Sequence, residues 1–182
     1  MIHTVGSMQC VIWNYFSGFC IIEANLVACG LGYANPDATG LESYNNIREV
    51  GIRPIETSTT FQYIGQNWNI PIHNWLKYYV MLRLIDRSKP KGDPQTFATV
   101  CTFIASSLWH GTYPGYIVLF VALALLEIQS KHFHKFKLAT TLKRCLHPLV
   151  LDVGLRIWLH YAVSYFGMAF VFLKFSSFHR MH

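Results

Sequence analysis

Charged side chains are scarce in this chain of 182 residues: Asp, Glu, Lys and Arg together make up 13%, whereas about 25% is usual in globular proteins. A water-soluble domain needs polar side chains to cover its surface, but a surface in contact with lipid does not. The 15 basic residues outnumber the 9 acidic ones, and they cluster in short segments beside apolar stretches. This pattern is typical of a membrane protein with basic loops near anionic lipid, and it does not favour nucleic-acid binding.

The C-x-x-C spacing is also lacking, because none of the five cysteines forms such a pair. We therefore expect reduced thiols rather than a disulfide framework or a zinc site. His132 and His134 lie in a basic segment without further metal ligands nearby, so no metal site is expected there either. The sequence contains no phosphate-binding glycine loop, dinucleotide fingerprint or G-x-S-x-G serine-hydrolase motif. No Lys or Arg precedes the first apolar run, so a cleaved signal peptide is not expected.

Three apolar stretches are long enough to cross a bilayer, for which about 20 residues suffice. They are Met8 to Tyr33, Phe97 to Leu126 and Leu149 to Phe175. Glu23 interrupts the first stretch, and its cost in lipid predicts that it faces protein or a water-filled cavity. Gly30-Leu31-Gly32 offers a C-terminal stop for this helix.

The segments between these stretches are more polar. Residues 35–60 predict a loop with one short helix, and Asn67 to Leu84 predicts an amphipathic helix at the membrane interface because its Trp, Tyr and Ile residues recur at helical spacing. The sequence thus predicts an all-α polytopic membrane protein, a single domain over residues 1–182 with about three membrane segments and one interfacial helix.

The second apolar stretch contains thirty residues without Asp, Glu, Lys or Arg, yet Pro114 and two glycines lie at its middle. These residues should kink or break a helix. The stretch either crosses the membrane once with a break or forms a re-entrant pair of half-helices. Because the segments on both sides are basic, the positive-inside tendency favours the re-entrant pair.

His110 lies within this uncharged stretch, where an imidazole is costly unless it is functional or well bonded. Desolvation would keep it neutral, as a general base requires, and Gly111 and Gly115 would allow close approach of a ligand. On the residues alone, a hydrogen-bonded core histidine is the better interpretation. A proton site in a small transporter is a further alternative, but the paired ionisable residues of such relays are lacking.

The eight residues from Trp109 to Tyr116 read W-H-G-T-Y-P-G-Y. They resemble the W-H-G-x-x-P-G-Y motif of membrane-bound O-acyltransferases, in particular the lysophospholipid acyltransferase branch. Trp68-Asn69-Ile70, followed by Trp75-Leu76, is similar to that branch's W-N-I…W-L segment, and Trp13 to Tyr33 resembles the helix that precedes these motifs. The resemblance covers about residues 11–175. Family members are much longer, so it implies that this chain is their C-terminal catalytic portion without the N-terminal half.

The resemblance implies transfer of an acyl group from acyl-CoA to a hydroxyl of a lysophospholipid. His110 would be the catalytic base and Asn69 its partner, able to orient the substrate or donate a hydrogen bond to the oxyanion. An N-cap before Ile70-Pro71 is the structural alternative for Asn69. Asn74 is a second candidate for the substrate site.

The resemblance also makes Trp109, Tyr113 and Tyr116 candidates for substrate binding, with helix packing or an aromatic belt as alternatives. It implies no cofactor or metal, since acyl-CoA is a co-substrate, and its partners are the two substrates and membrane lipid. An integral protein of the endoplasmic reticulum is expected. The alternative is a catalytically inactive, truncated membrane fragment that binds lipid or a partner. The head group, acyl chain and oligomeric state are not specified by the sequence.

Overall fold

The computed structural model describes residues 2–34, 46–87, 93–135 and 147–172. The regular elements in these ranges are helices, as expected for an all-α protein. In chain order they are α1 Ile2–Ala28, α2 Ile52–Glu56, α3 Phe61–Asn67, α4 Ile70–Leu76, a π-helical turn Lys77–Met81, α5 Leu82–Arg87, α6 Pro94–His110, α7 Pro114–Lys135 and α8 Pro148–Phe172. The basic segments centred on Lys89 and Lys143 lie outside the described residues.

Helix α1 is the first predicted membrane segment, although it begins at Ile2 rather than Met8. Its end is formed by Gly30 in the left-handed region, with φ +80°. The N–H groups of Gly30 and Leu31 donate to the carbonyls of Val27 (2.9 Å) and Leu26 (3.1 Å). This pair of hydrogen bonds is a Schellman motif, and it confirms the predicted stop.

The polar segment after α1 contains one short helix, α2, as predicted for its described part. The sequence did not predict α3, which ends at Asn67, where the amphipathic helix was expected to begin. Thr60 caps α3, since its Oγ1 accepts from the N–H of Tyr63 at 3.3 Å. Glutamines and Gly65 on α3 obscure its helical pattern. The predicted boundary at Asn67 is therefore wrong, and the amphipathic helix begins at Ile70.

That helix continues without interruption over residues 70–87, beyond the predicted end at Leu84. Its middle turn, Lys77–Met81, is π-helical, a local widening that occurs often near functional sites. Trp75 and Tyr79 stack on its exposed surface with ring centroids 5.8 Å apart. Lys77 lies over the ring of Tyr78 and Arg83 over that of Tyr79, each at 5.5 Å.

The uncharged stretch is broken where the sequence predicted, and it forms two helices, α6 and α7, that pack against each other. Asp93 caps α6, with its carboxylate accepting from the N–H of Gln95 (3.2 Å) and the hydroxyl of Thr96 (2.7 Å). Far from the break, Lys131 of α7 donates to the Oγ1 of Thr99 of α6 at 3.1 Å. The two helices are therefore an antiparallel hairpin.

Helix α8 is the third predicted membrane segment, and it packs against α1 and α7. Gly167 permits the close approach of α1, because a Cβ there would lie 2.7 Å from the Cε of Met8. Among the described residues, two helical stretches are long and apolar enough to cross a membrane, Gly6–Ala28 and Pro114–His132. The expected number of about three membrane segments stays a prediction.

Candidate active site

His110 is the last residue of α6, and Gly111 ends that helix with φ +125° and ψ 176°. This backbone conformation is essentially restricted to glycine. The Gly111 N–H donates to the carbonyls of Ser107 (3.2 Å) and Leu108 (3.1 Å), which closes the last turn. The glycine of the motif thus fixes the point at which the chain turns into α7, and with it the position of the imidazole.

Aromatic rings surround the half-buried imidazole of His110. The Phe120 ring stacks on it, with centroids 5.0 Å apart and an interplanar angle of 27°. Trp109 meets it edge-on at 4.7 Å, and Tyr116 is tilted against it at 5.6 Å. Tyr116 in turn meets Tyr113 edge-on at 6.1 Å. The motif residues therefore converge on His110, while Trp109 and Tyr113 keep exposed surfaces that a ligand could contact.

The sequence did not predict Phe120 as a site residue. Its position one helical turn after Tyr116 indicates that both rings lie on the same face of α7. His73 was also missed. It lies one turn after Asn69, and its N–H donates to the Asn69 carbonyl at 2.9 Å. Burial lowers the pKa of His73 below its usual range, and the positive charge of Lys77 lowers it further.

Asn69 occupies the N-cap position of α4, with Pro71 in the first turn, as the structural alternative predicted. However, its side chain makes no capping hydrogen bond, and its backbone is left-handed, with φ 44° and ψ 62°. It is the one non-glycine residue with positive φ among the described residues. Asn tolerates this conformation better than most residues, but strain of this kind is concentrated at functional sites. The Asn69 amide is therefore available for another partner.

The W-N segment packs against α1 through Trp68. The Trp68 ring lies 5.8 Å from the Tyr15 ring, and it also contacts Phe16 and Phe19 at 5.7 and 5.5 Å. This aromatic cluster anchors the W-N segment on the first predicted membrane helix.

Helix lengths predict that Asn69 and His110 lie at the same end of a helix pair. Residues 70–87 and the 17-residue α6 are joined by a short connection and differ by one residue in length. The two helices pack mainly through the π-helical turn and α5, away from Asn69. Asn74 is exposed on α4.

An apolar groove begins one residue after Tyr116 and runs between α7 and α8. It has a volume of about 590 Å³, and Gln129 is the one amide side chain in its lining. The remaining lining residues are aliphatic or aromatic: Ile117, Val118, Val121, Ala122, Leu125, Leu126, Trp158, Tyr161, Ala162, Tyr165 and Phe166. Over the part of the chain described, no three His, Cys, Asp or Glu side chains are grouped as metal ligands would be.

Comparison with known proteins identifies what this arrangement resembles. The sequence model of the membrane-bound O-acyltransferase family matches residues 2–172. The chain is 32% identical over 171 residues to human membrane-bound glycerophospholipid O-acyltransferase 1, a match that covers 91% of this chain and 32% of that protein. It is 32% identical over 133 residues to lysophospholipid acyltransferase 1 of Arabidopsis thaliana, covering 72% of this chain and 28% of that protein. The chain thus spans about a third of the length of these relatives.

Proposed function

This chain belongs to the membrane-bound O-acyltransferase family, and we propose that it transfers an acyl group from acyl-CoA to a lysophospholipid hydroxyl. The observation that carries the proposal is the position of His110, half-buried among the rings of its motif at the turn of the hairpin. Its relatives are lysophospholipid and glycerophospholipid acyltransferases, which supports a lysophospholipid as the acceptor. The resemblance also supports the endoplasmic reticulum membrane as its location, which co-fractionation with a marker of that membrane tests.

In the proposed reaction, neutral His110 accepts the hydroxyl proton of the lysophospholipid as its oxygen attacks the thioester carbonyl. The new ester C–O bond forms, the C–S bond breaks, and the proton passes from His110 to the leaving CoA thiolate. The Asn69 amide donates a hydrogen bond to the oxyanion that develops on the carbonyl oxygen. No covalent enzyme intermediate is required.

The apolar groove supports a substrate with a long hydrocarbon chain. Its volume of about 590 Å³ falls within the range of about 300–1,000 Å³ that is usual for small-molecule sites. Its lining starts at Ile117, the residue after Tyr116, and we propose that it holds the hydrocarbon chain of a substrate. Trp109, Tyr113 and Tyr116 are proposed to contact the substrate, with Asn74 as a further candidate on the exposed side of α4.

The test is incorporation of labelled acyl groups from acyl-CoA into lysophospholipid by membranes that contain the chain. We expect His110→Ala to lower the rate about 10²- to 10⁴-fold, as is usual for loss of a general base, with equal insertion into the membrane. His160→Ala is the matched control, since it removes another half-buried imidazole, on α8, and should retain activity. Unchanged activity in His110→Ala would refute the assignment.

The second candidate function is a non-catalytic membrane protein that binds lipid or a partner through the same residues. The observation that favours it is that the chain matches only part of each relative. The match covers 20% of the yeast lysophospholipid acyltransferase and 35% of lysophospholipid acyltransferase 2 of Arabidopsis thaliana. Binding of acyl-CoA by the purified chain without turnover would select this candidate. Turnover that depends on His110 would exclude it.

A further inference from the structure

We propose that Glu23 is a positioning residue that holds Asn69 in its left-handed conformation. It acts through residues 49–51, which we call the strap. This inference rests on the proposed function for the role of Asn69, but the contacts that carry it do not involve the reaction. Glu23 lies in the apolar helix α1, where a carboxylate is costly unless it serves a purpose.

The first link joins Glu23 to the strap. The Oε2 of Glu23 accepts a hydrogen bond from the backbone N–H of Glu49 at 3.1 Å. A hydrogen bond to a carboxylate is stronger than one between neutral groups. This contact agrees with the expectation that Glu23 faces protein. Glu23 accepts this hydrogen bond from the backbone of Glu49. The side chain of Glu49 is a second carboxyl group near Glu23. Burial raises the pKa of Glu49, and the charge of Glu23 raises it further.

The second link joins the strap to both sides of Asn69. The Glu49 carbonyl accepts from the N–H of Ile70 at 2.9 Å, and the Gly51 N–H donates to the Asn67 carbonyl at 2.8 Å. Gly51 permits this approach without displacing the Asn67 side chain, because a Cβ at residue 51 would lie 2.5 Å from the Oδ1 of Asn67. The backbone is thus fixed immediately before Trp68 and immediately after Asn69.

The left-handed backbone explains why the Asn69 amide does not cap α4. An N-cap residue usually has an extended backbone, from which its side chain accepts from the N–H of the second or third helical residue. Asn69 has φ 44° and ψ 62°, and the second helical residue, Pro71, has no N–H. The strap that holds this backbone therefore also keeps the Asn69 side chain out of the capping role. Loss of the Glu23 contact would release the strap and, with it, the constraint on Asn69.

The experiment compares Glu23→Leu with Glu23→Gln in the full chain in membranes. Leu fits an apolar helix but accepts no hydrogen bond, whereas the Gln carbonyl oxygen still accepts one. We expect Glu23→Leu to lower kcat about tenfold or more with little change in the KM for acyl-CoA, and Glu23→Gln to restore most of it. Asn25→Leu is the matched control, because Asn25 is an exposed polar residue on the same helix. An unchanged kcat in Glu23→Leu overturns the proposal.

A double-mutant cycle separates positioning from a general loss of structure. If Glu23 acts through Asn69, then Glu23→Leu should cause no further loss of kcat when Asn69 is already Ala. Equal losses in both backgrounds would overturn the proposal.

A third measurement does not depend on activity: hydrogen exchange of the Glu49 and Ile70 amides should become faster in Glu23→Leu and remain slow in Glu23→Gln. Slow exchange in Glu23→Leu counts against the strap. If the wild type has no acyltransferase activity, the proposed function fails, and exchange alone decides whether Glu23 holds the segment.

Discussion

His73 is a titratable side chain one turn into the helix that Asn69 begins, and it couples stability to pH. Burial and then Lys77 lower its pKa, so the unfolded chain binds a proton more readily than the folded one. The free energy of unfolding should therefore fall as the pH drops from about 7.5 through the unfolded pKa of about 6.5, and the fall should end below the lowered pKa. Thermal unfolding in detergent at several pH values measures this.

We expect His73→Gln to flatten the pH dependence in this window, because Gln does not titrate. Lys77→Gln should reduce it in part, since the positive charge that opposes protonation of His73 is removed. The same fall in stability in wild type and His73→Gln would show that another group is responsible.

Candidate site residues can be predicted from the sequence when they belong to a local motif. The motif singles out His110, and Trp109 and Tyr116 of the same motif contact its ring. The left-handed backbone of Asn69 is not predictable in this way. It depends on hydrogen bonds from the strap, about twenty residues earlier in the chain, and such backbone contacts leave no periodic pattern in the sequence.

Among the elements, the hairpin of α6 and α7 depends on Gly111 for its turn. With φ +125° and ψ 176°, this residue occupies a region that costs other residues about 1–3 kcal/mol. We expect Gly111→Ala to lower the free energy of unfolding by that amount and to reduce acyltransferase activity, because His110 is the preceding residue. The cost is one of backbone conformation, since a Cβ there would meet only the Tyr116 ring, at an ordinary 3.5 Å.

Gly154→Ala is the matched control for this prediction. Gly154 lies within α8, and nothing lies within 4 Å of the Cβ that Ala would add. Because Ala favours a helix over Gly by about 1 kcal/mol, this variant should be slightly more stable than wild type. Thermal unfolding of both variants measures the difference, and equal effects would contradict the role of the Gly111 backbone.

The long helices could be predicted from the sequence, whereas the boundary between two short helices could not. The long helices α1, α6, α7 and α8 follow from runs of apolar residues, and the break between α6 and α7 follows from Pro114 and its neighbouring glycines. The boundary between α3 and α4 does not. Both helices are short and partly polar, and the turn between them is held by the strap rather than by local propensity. Short helices in general depend on tertiary contacts for their stability.

On the scale of the whole molecule, the remaining question about the fold is how the hairpin lies in the membrane. Helix α7 has 22 residues and α6 has 17, so they are about 33 Å and 26 Å long. The hydrocarbon core is about 30 Å thick, so α7 is just long enough to cross it and α6 is too short. The bond between Lys131 and Thr99 holds together the ends of the two helices that are far from the turn, and the shorter α6 therefore limits how deep the turn can lie. We predict a re-entrant hairpin whose turn remains within the membrane.

Labelling with a membrane-impermeant maleimide in sealed vesicles tests this topology. The native cysteines are replaced by Ser, and single cysteines are introduced as Gln95→Cys, Thr112→Cys or His132→Cys, all at exposed positions. We expect Gln95→Cys and His132→Cys to react from the same side and Thr112→Cys to react from neither side until detergent is added. Reaction of Thr112→Cys from the opposite side would mean that both helices cross the membrane. Reaction of Gln95→Cys and His132→Cys from opposite sides would mean a single broken crossing, which the packed hairpin does not permit.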